Sequence, residues 1–248
     1  YTYMLYTRSN TYKLNHLLNY SQTFGVHDIS AMLGYEEQQY DYRQTNASKL
    51  GLTDALVNDM DAAATPYSTS GYGTQWTARS WFGRVNYAIK NRYLFEANFR
   101  YDGSSRFAPD YRWGFFPSFS AGWKISDEPW FNLANVNNLK LRASWGKLGN
   151  NSVGNYAWQS VYNTANYAWG NSLASGIAIT SIPNDKIQWE NTAVTNLGLD
   201  FGFFDGRLNG SIDAYNKLTS GILYAPTISY IFGFNTAPTM NLAEVTNR

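Results

Sequence analysis

Between residues 92 and 126 the chain alternates, with few exceptions, between greasy and polar side chains, and a period of two is the signature of a β-strand. Tyr93, Phe95, Ala97, Phe99 and Tyr101 are interleaved with Arg92, Glu96, Asn98, Arg100 and Asp102. After a short break, Trp113, Phe115, Pro117, Phe119, Ala121 and Trp123 alternate with Arg112, Gly114, Phe116, Ser118, Ser120, Gly122 and Lys124. Successive strand side chains point to opposite faces, so each segment has one greasy and one polar face. A half-buried soluble sheet fits this pattern, and so does a barrel wall with lipid outside and water inside.

Composition separates the two. The 248 residues are 17% aromatic, with 20 Tyr and 9 Trp, yet only 15% are charged. Soluble domains carry about a quarter charged residues. Mean hydropathy is nevertheless negative, at -0.41. A chain both aromatic-rich and polar on average suits a transmembrane barrel, whose apolar residues are spread singly along strands. No run approaches the roughly 18 apolar residues of a membrane helix. The net charge of +1 gives no pull toward nucleic acid. With no cysteine, disulfides, thiolate metal sites and Cys nucleophiles are excluded. The chain starts at Tyr1 and stops at Arg248 in mid-pattern, which reads as a piece of a longer protein with its targeting signal upstream.

The period predicts about eight antiparallel strands, at residues 13–24, 27–42, 75–89, 92–103, 111–126, 138–148, 187–204 and 208–223. Asp205-Gly206 between alternating runs is a strong hairpin signal. Connections alternate in length. Short turns fall near Gly25, Asn91 and Asp205, with a medium link at 127–137. Long loops are expected at 43–74, at 147–186 and after Leu223, and residues 104–110 are the shortest link on that side. Short turns at one end and long loops at the other are the asymmetry of outer-membrane barrels. Residues 52–64, rich in alanine, are expected as a short loop helix with Thr53 or Asp54 as N-cap.

The same residues resemble a known family. Ser80-Trp81-Phe82-Gly83-Arg84-Val85-Asn86-Tyr87, Arg92-Tyr93-Leu94-Phe95 and Arg100-Tyr101-Asp102-Gly103-Ser104-Ser105-Arg106-Phe107 look like the barrel of SusC/RagA-type TonB-linked outer-membrane proteins. Gly114-Phe115-Phe116-Pro117-Ser118, Leu139-Lys140-Leu141-Arg142-Ala143-Ser144-Trp145-Gly146, Trp189-Glu190 and Asn196-Leu197-Gly198-Leu199-Asp200 continue the likeness. The resemblance implies an all-β, antiparallel up-and-down transmembrane barrel of roughly 22 strands, closed by an N-terminal plug. Residues 1–248 would be a sector of that single barrel domain, truncated at both ends and without the plug. The resemblance further implies TonB-driven import of glycans or peptides across the outer membrane of a Bacteroidetes-like Gram-negative bacterium, with a SusD-like surface lipoprotein as lid. It implies no cofactor.

Candidate sites follow from the faces. Tyr93, Phe95, Phe99, Phe115, Phe119 and Trp123 are expected to meet lipid. Arg84, Glu96, Arg100, Arg112, Lys124, Lys140 and Arg142 are expected to face the lumen, lining a solute path, gripping a plug, or forming cross-strand ion pairs on a solvated wall. The loop aromatics Tyr156, Trp158, Tyr162, Tyr167 and Trp169, set among amides and hydroxyls, are the best ligand candidates, because sugar rings stack on aromatic faces. Packing of that loop on its neighbours or on a lid is the competing reading. Ser104-Ser105-Arg106-Phe107 reads as a structural turn, with Arg106 pairing a neighbouring acid. Asp54, Asn58, Asp59 and Asp61 lack the spacing of a calcium loop and read as a solvated acidic loop. Catalytic motifs are missing, and no metal site is expected. Two other architectures fit the pattern: an autonomous eight-stranded outer-membrane barrel with a structural or adhesive role, and a soluble carbohydrate-binding sandwich whose apolar faces would turn inward.

Overall fold

The computed structural model describes residues 1–248 apart from 53, 55, 58, 180, 181, 230, 232, 235 and 236. It is built of β-strands and short 3-10 turns. The strands are β1 (Thr2–Phe24), β2 (His27–Leu52), β3 (Ala63–Ile89), β4 (Tyr93–Ser104), β5 (Trp113–Lys124), β6 (Val136–Asn150), β7 (Tyr162–Trp169), β8 (Ser172–Ile179), β9 (Glu190–Phe203), β10 (Leu208–Tyr224) and β11 (Met240–Asn247). Among the described residues nine form one sheet in the order β1-β2-β3-β4-β5-β6-β9-β10-β11, and β7 and β8 form a separate two-stranded sheet. Sequence neighbours are therefore spatial neighbours throughout, save for the β7–β8 hairpin inserted between β6 and β9. The ladders from β4 to β11 are antiparallel. All the expected strands are present, and the pattern ending at Arg248 is a real strand, β11.

Three expectations need correction. The connection expected as a long loop at 147–186 holds a further hairpin, β7–β8. The long loop expected at 43–74 is mostly strand, since β2 runs to Leu52 and β3 begins at Ala63. Those extensions are rich in Ser, Thr, Asn, Gln and Tyr, so they form ladders without the apolar alternation by which strands are recognised. Asn46 Oδ1 accepts the Ser70 backbone N–H at 3.0 Å across this ladder. Where a helix is expected at 52–64, the described residues hold a 3-10 turn, Met60–Ala62, closed by Ala62 N–H to Asp59 C=O at 3.1 Å. Of the helix's two expected caps Thr53 lies outside the described residues, as does Asn58 of the acidic loop, while Asp54 Oδ1 accepts the Leu56 backbone N–H at 2.9 Å.

The chain divides into two compact units, residues 1–14 with 37–78 and residues 15–36 with 79–248. The first is a polar ladder of β1, β2 and β3 with aromatic cross-strand pairs, Tyr40–Trp76 at 6.0 Å and Tyr42–Tyr72 at 5.7 Å between ring centroids. The second holds the rest of β1, β2 and β3 with all the other strands.

Register in the second unit makes the two faces continuous. On one face Tyr93 opposes Trp123, Ala97 opposes Phe119, Phe119 opposes Trp145, Leu141 opposes Leu199 and Leu199 opposes Ile212. A one-residue slip would turn every one of these side chains over, so pattern and register fix each other. Large rings lie across glycines of the adjacent strand: a Cβ on Gly83 would sit 2.5 Å from the Phe99 ring. The turn after β3 places Lys90 at φ 51 and Asn91 at φ 54, with Arg92 N–H on Ile89 C=O at 3.0 Å, as a type I′ hairpin requires.

That apolar face is not buried. Phe119 is 54% exposed, Leu197 58% and Ile212 64%. A soluble sandwich would have covered them. Among the described residues the buried apolar cluster is small, Phe107, Phe116, Ile187 and Trp189, and sits at the end of the sheet that carries the long connections. Among the described residues β1 and β11 end the strand order and do not pair with each other, unlike the first and last strands of a closed eight-stranded barrel.

Candidate functional site

The polar face is an ordered network. Arg84 Nε donates to Asn98 Oδ1 at 2.7 Å, and Asn98 Nδ2 donates to Glu96 Oε1 at 2.7 Å. Arg100 grips Asp102 through two bonds of 3.2 and 3.0 Å and lies 5.1 Å above the Phe82 ring. Arg142 on β6 makes two 2.8 Å bonds to Asp200 on β9 and reaches Asp213 on β10 at 3.1 Å, tying three strands together. Asn196 Nδ2 donates to the same Asp213 carboxylate at 3.2 Å. Lys140 stands opposite both Asp200 and Lys124, and Lys124 pairs Asp127 at 3.9 Å. A concavity of about 620 Å³ is lined by Glu96, Ser120, Lys140, Arg142, Ser144 and Asn196. The Arg142 and Asp200 side chains are 33% and 25% exposed, so this network orients groups more than it stabilises the sheet. Arg112 is placed differently. It lies in the link before β5, where its carbonyl accepts from Ser104 N–H at 3.2 Å and Trp189 Nε1 at 3.0 Å.

The end with the long connections is locked by Ser104-Ser105-Arg106-Phe107. Phe107 and Ser104 are fully buried. Arg106 donates through Nε to Asn155 Oδ1 at 3.0 Å and through a terminal nitrogen to Asn151 C=O at 3.2 Å. Burial pulls the Arg106 guanidinium below its ordinary value. Asn151 Nδ2 donates to Ser104 Oγ at 3.2 Å, and Trp158 Nε1 to Ser105 C=O at 3.4 Å. Phe116 breaks the alternation because it belongs to this knot. Its ring fills the space beside Gly149, where a Cβ would come within 2.0 Å of it. Chain enters the excursion between β6 and β9 through Asn151–Trp158 and leaves it through Ile187 and Trp189, so both feet of the excursion are fixed here.

The five loop aromatics are not one cluster. Trp158 packs against the buried knot. Tyr156 holds a turn with φ 65. Tyr162, Tyr167 and Trp169 lie on β7, and register splits them between faces. Tyr162 shares a face with Leu173, Ile177 and Ile179. Tyr167 and Trp169 share the other with Asn163, Ala165, Ser172, Ala174, Gly176 and Ala178, their rings 6.3 Å apart and 65% and 73% exposed. Two exposed rings rising from a floor of small residues can stack a flat or ring-shaped ligand.

Sequence reasoning passed over Glu128, at the short-turn end. It is 7% exposed, yet accepts from Tyr93 Oη at 2.5 Å, Trp123 Nε1 at 3.0 Å and Arg92 at 3.5 Å. The Tyr93 hydroxyl, then the Trp123 N–H, hold its carboxyl below the usual range. Tyr93 and Arg92 lie 35 and 36 residues away in sequence, and a lone Glu after a strand carries no signal of them.

Comparison with known proteins gives this architecture a family. All of residues 1–248 match the family described as TonB dependent receptor-like, β-barrel. The TonB-dependent receptor SusC of Bacteroides thetaiotaomicron is 37% identical over 242 residues, covering 94% of this chain and 23% of the relative. The TonB-dependent receptor P39 of Formosa agariphila is 34% identical over 235 residues, covering 93% and 22%. The RagAB peptide transporter structure aligns with a TM-score of 0.89 at 24% identity, over 98% of this chain and 27% of that one, and supports the fold. The chain thus spans about a quarter of the length of the proteins it matches. With its two-faced antiparallel sheet, this chain belongs to the TonB dependent receptor-like β-barrel family.

Proposed function

We propose that residues 1–248 are a sector of a single barrel domain in an outer-membrane importer that takes up large nutrients, glycans or peptides, under TonB drive. The observation that carries this is the in-register division of one sheet into an exposed apolar face and a charged, hydrogen-bonded face, in a chain matched over its whole length by the family. The host is a Bacteroidetes-like Gram-negative cell, in keeping with the Bacteroides relative.

In this reading Tyr93, Phe95, Phe99, Phe115, Phe119 and Trp123 meet lipid. Arg84, Glu96, Arg100, Lys124, Lys140 and Arg142 face a plug or the solute path, with Arg112 at the rim. The plug and the TonB-contacting segment belong to other parts of the full-length protein. The β7–β8 arm stands on the extracellular side, where Tyr167 and Trp169 stack passing ligand. Its opposite face, with Tyr162 and Ile177, suits a SusD-like lipoprotein lid. Trp158 and Tyr156 set the base of the arm.

The test uses the full-length protein. Phe95→Asp should block assembly into the outer membrane, since charge on the lipid side is costly near the midplane. Asn98→Asp, one face away in the pleat, should assemble normally. Equal tolerance of both would refute the facing.

A further inference from the structure

We propose that the connection between β5 and β6 is a membrane-interface anchor, which folds back over the apolar face and seats Trp130 among phospholipid headgroups at the short-turn end, with Glu128 as its positioning residue. The inference rests on the reading that the apolar face meets lipid.

The path of the connection is unusual. A link between antiparallel strands has only to turn the chain around. This one carries its carboxylate onto the greasy face, because both close donors to Glu128, Tyr93 and Trp123, are the paired aromatics at that end of β4 and β5. Their rings are parallel at 6.4 Å between centroids. Burying a carboxylate is expensive unless it is hydrogen-bonded and paired. Here a phenol, an indole and the Arg92 guanidinium meet it, with Lys90 adding positive potential. The backbone is pinned on either side by Glu128 N–H on Ile125 C=O at 3.1 Å and Phe131 N–H on Glu128 C=O at 3.0 Å. The far end is clamped to the β9–β10 turn. Phe204 N–H bonds Asn135 C=O at 2.9 Å, and Asn137 exchanges two bonds with Asp205, of 2.8 and 2.9 Å.

What this scaffold holds out is apolar. Trp130 stands edge-on to Trp123 at 6.3 Å but is 65% exposed, and Leu133 is 61% exposed. A tryptophan continuous with the lipid face, on a backbone fixed at both ends, suits the membrane boundary, where an apolar ring with one N–H donor is at home. Lys90, close enough to Glu128 to act on its charge, lies at the same end, and a cation of this kind suits phosphate headgroups.

The chain itself has no cysteine, which opens a direct test. In the full-length protein, with cysteines elsewhere replaced, single nitroxides go on Trp130→Cys, Leu133→Cys, Phe119→Cys and Arg207→Cys. Each is read in vesicles of phosphatidylethanolamine and phosphatidylglycerol by collision with oxygen and with a water-soluble nickel chelate. The anchor predicts that the labels at 130 and 133 are shielded from nickel several-fold relative to 207, at a depth shallower than 119. Adding Glu128→Ala should expose the label at 133, and Glu128→Gln, which keeps an acceptor for Tyr93 and Trp123, should restore shielding. Labels at 130 and 133 as open to nickel as 207, with 119 in lipid, would overturn the anchor and leave the wall intact. A label at 119 open to water would overturn the wall reading itself. Shielding that survives Glu128→Ala would remove the positioning role. If that variant fails to assemble, the labels with native Glu128, and with Glu128→Gln, still decide the anchor.

Discussion

The wall strands β4, β5, β6, β9 and β10 and the arm β7–β8 both expose large apolar side chains, but the exposure means different things. On the wall, Phe119 (54% exposed) and Ile212 (64%) belong to one face, each wall strand pairs on both sides, and the opposite face is charged. On the arm, Ile177 (74%) and Trp169 (73%) lie on opposite faces of a two-stranded ribbon. One-sided exposure across many strands asks for a continuous apolar solvent, which in the proposed reading is lipid. Two-sided exposure on an isolated hairpin, marginally stable on its own, asks for discrete partners. Exposed area alone would have grouped the two regions together.

Substitutions in the two regions should act differently. Phe119→Arg should have the largest effect, destabilising the inserted wall by about 2–4 kcal/mol at the bilayer midplane. Heat-modifiable migration of the membrane-extracted protein reads this, and a charge at Ile177 on the arm should leave migration unchanged. Gly149→Ala acts at the joint between the regions. The new methyl must displace the Phe116 ring from a packed cluster, which costs about 1–3 kcal/mol. Faster backbone hydrogen exchange at 151–158 and 187–189, with the wall unaltered, is the expected signature. Tyr167→Ala and Trp169→Ala should each weaken ligand binding by about 1 kcal/mol, roughly fivefold, with assembly intact. Titration with the imported nutrient, or with oligosaccharides and peptides in turn, measures it.

The smallest effect belongs to Glu128 at the other end of the wall. Its folded carboxyl titrates below the usual range. The unfolded value is about 4.3. Its contribution is therefore complete above that value and is lost as pH falls through the lower, folded one. Unfolding midpoints followed from neutral to acid pH should show a component that Glu128→Gln removes.

The wall was legible because its pattern has a cause that acts residue by residue. A strand between lipid and a polar interior must alternate, and Phe95 to Trp123 do. The extensions of β2 beyond Tyr42 and of β3 before Gln75 were invisible for the same reason: with polar side chains on both faces, nothing alternates. The β7–β8 hairpin was hidden likewise, its apolar residues divided between two faces. Phe116 looked like an error in the pattern until Gly149 and Trp189 explained it. Among the site residues, the polar-face positions could be chosen by parity. The division of Tyr162 from Tyr167 and Trp169 depends on a local register, and Glu128 on contacts that no spacing announces.

The facing of the wall can be read from a nitroxide scan of β4. Single labels placed in turn from Tyr93 to Tyr101 in the full-length protein, in lipid, should show oxygen accessibility with a period of two. The maxima should fall at 93, 95, 97, 99 and 101, and the minima at the positions between. A flat profile, or maxima at 96, 98 and 100, would mean that the odd-numbered side chains of β4 do not meet lipid.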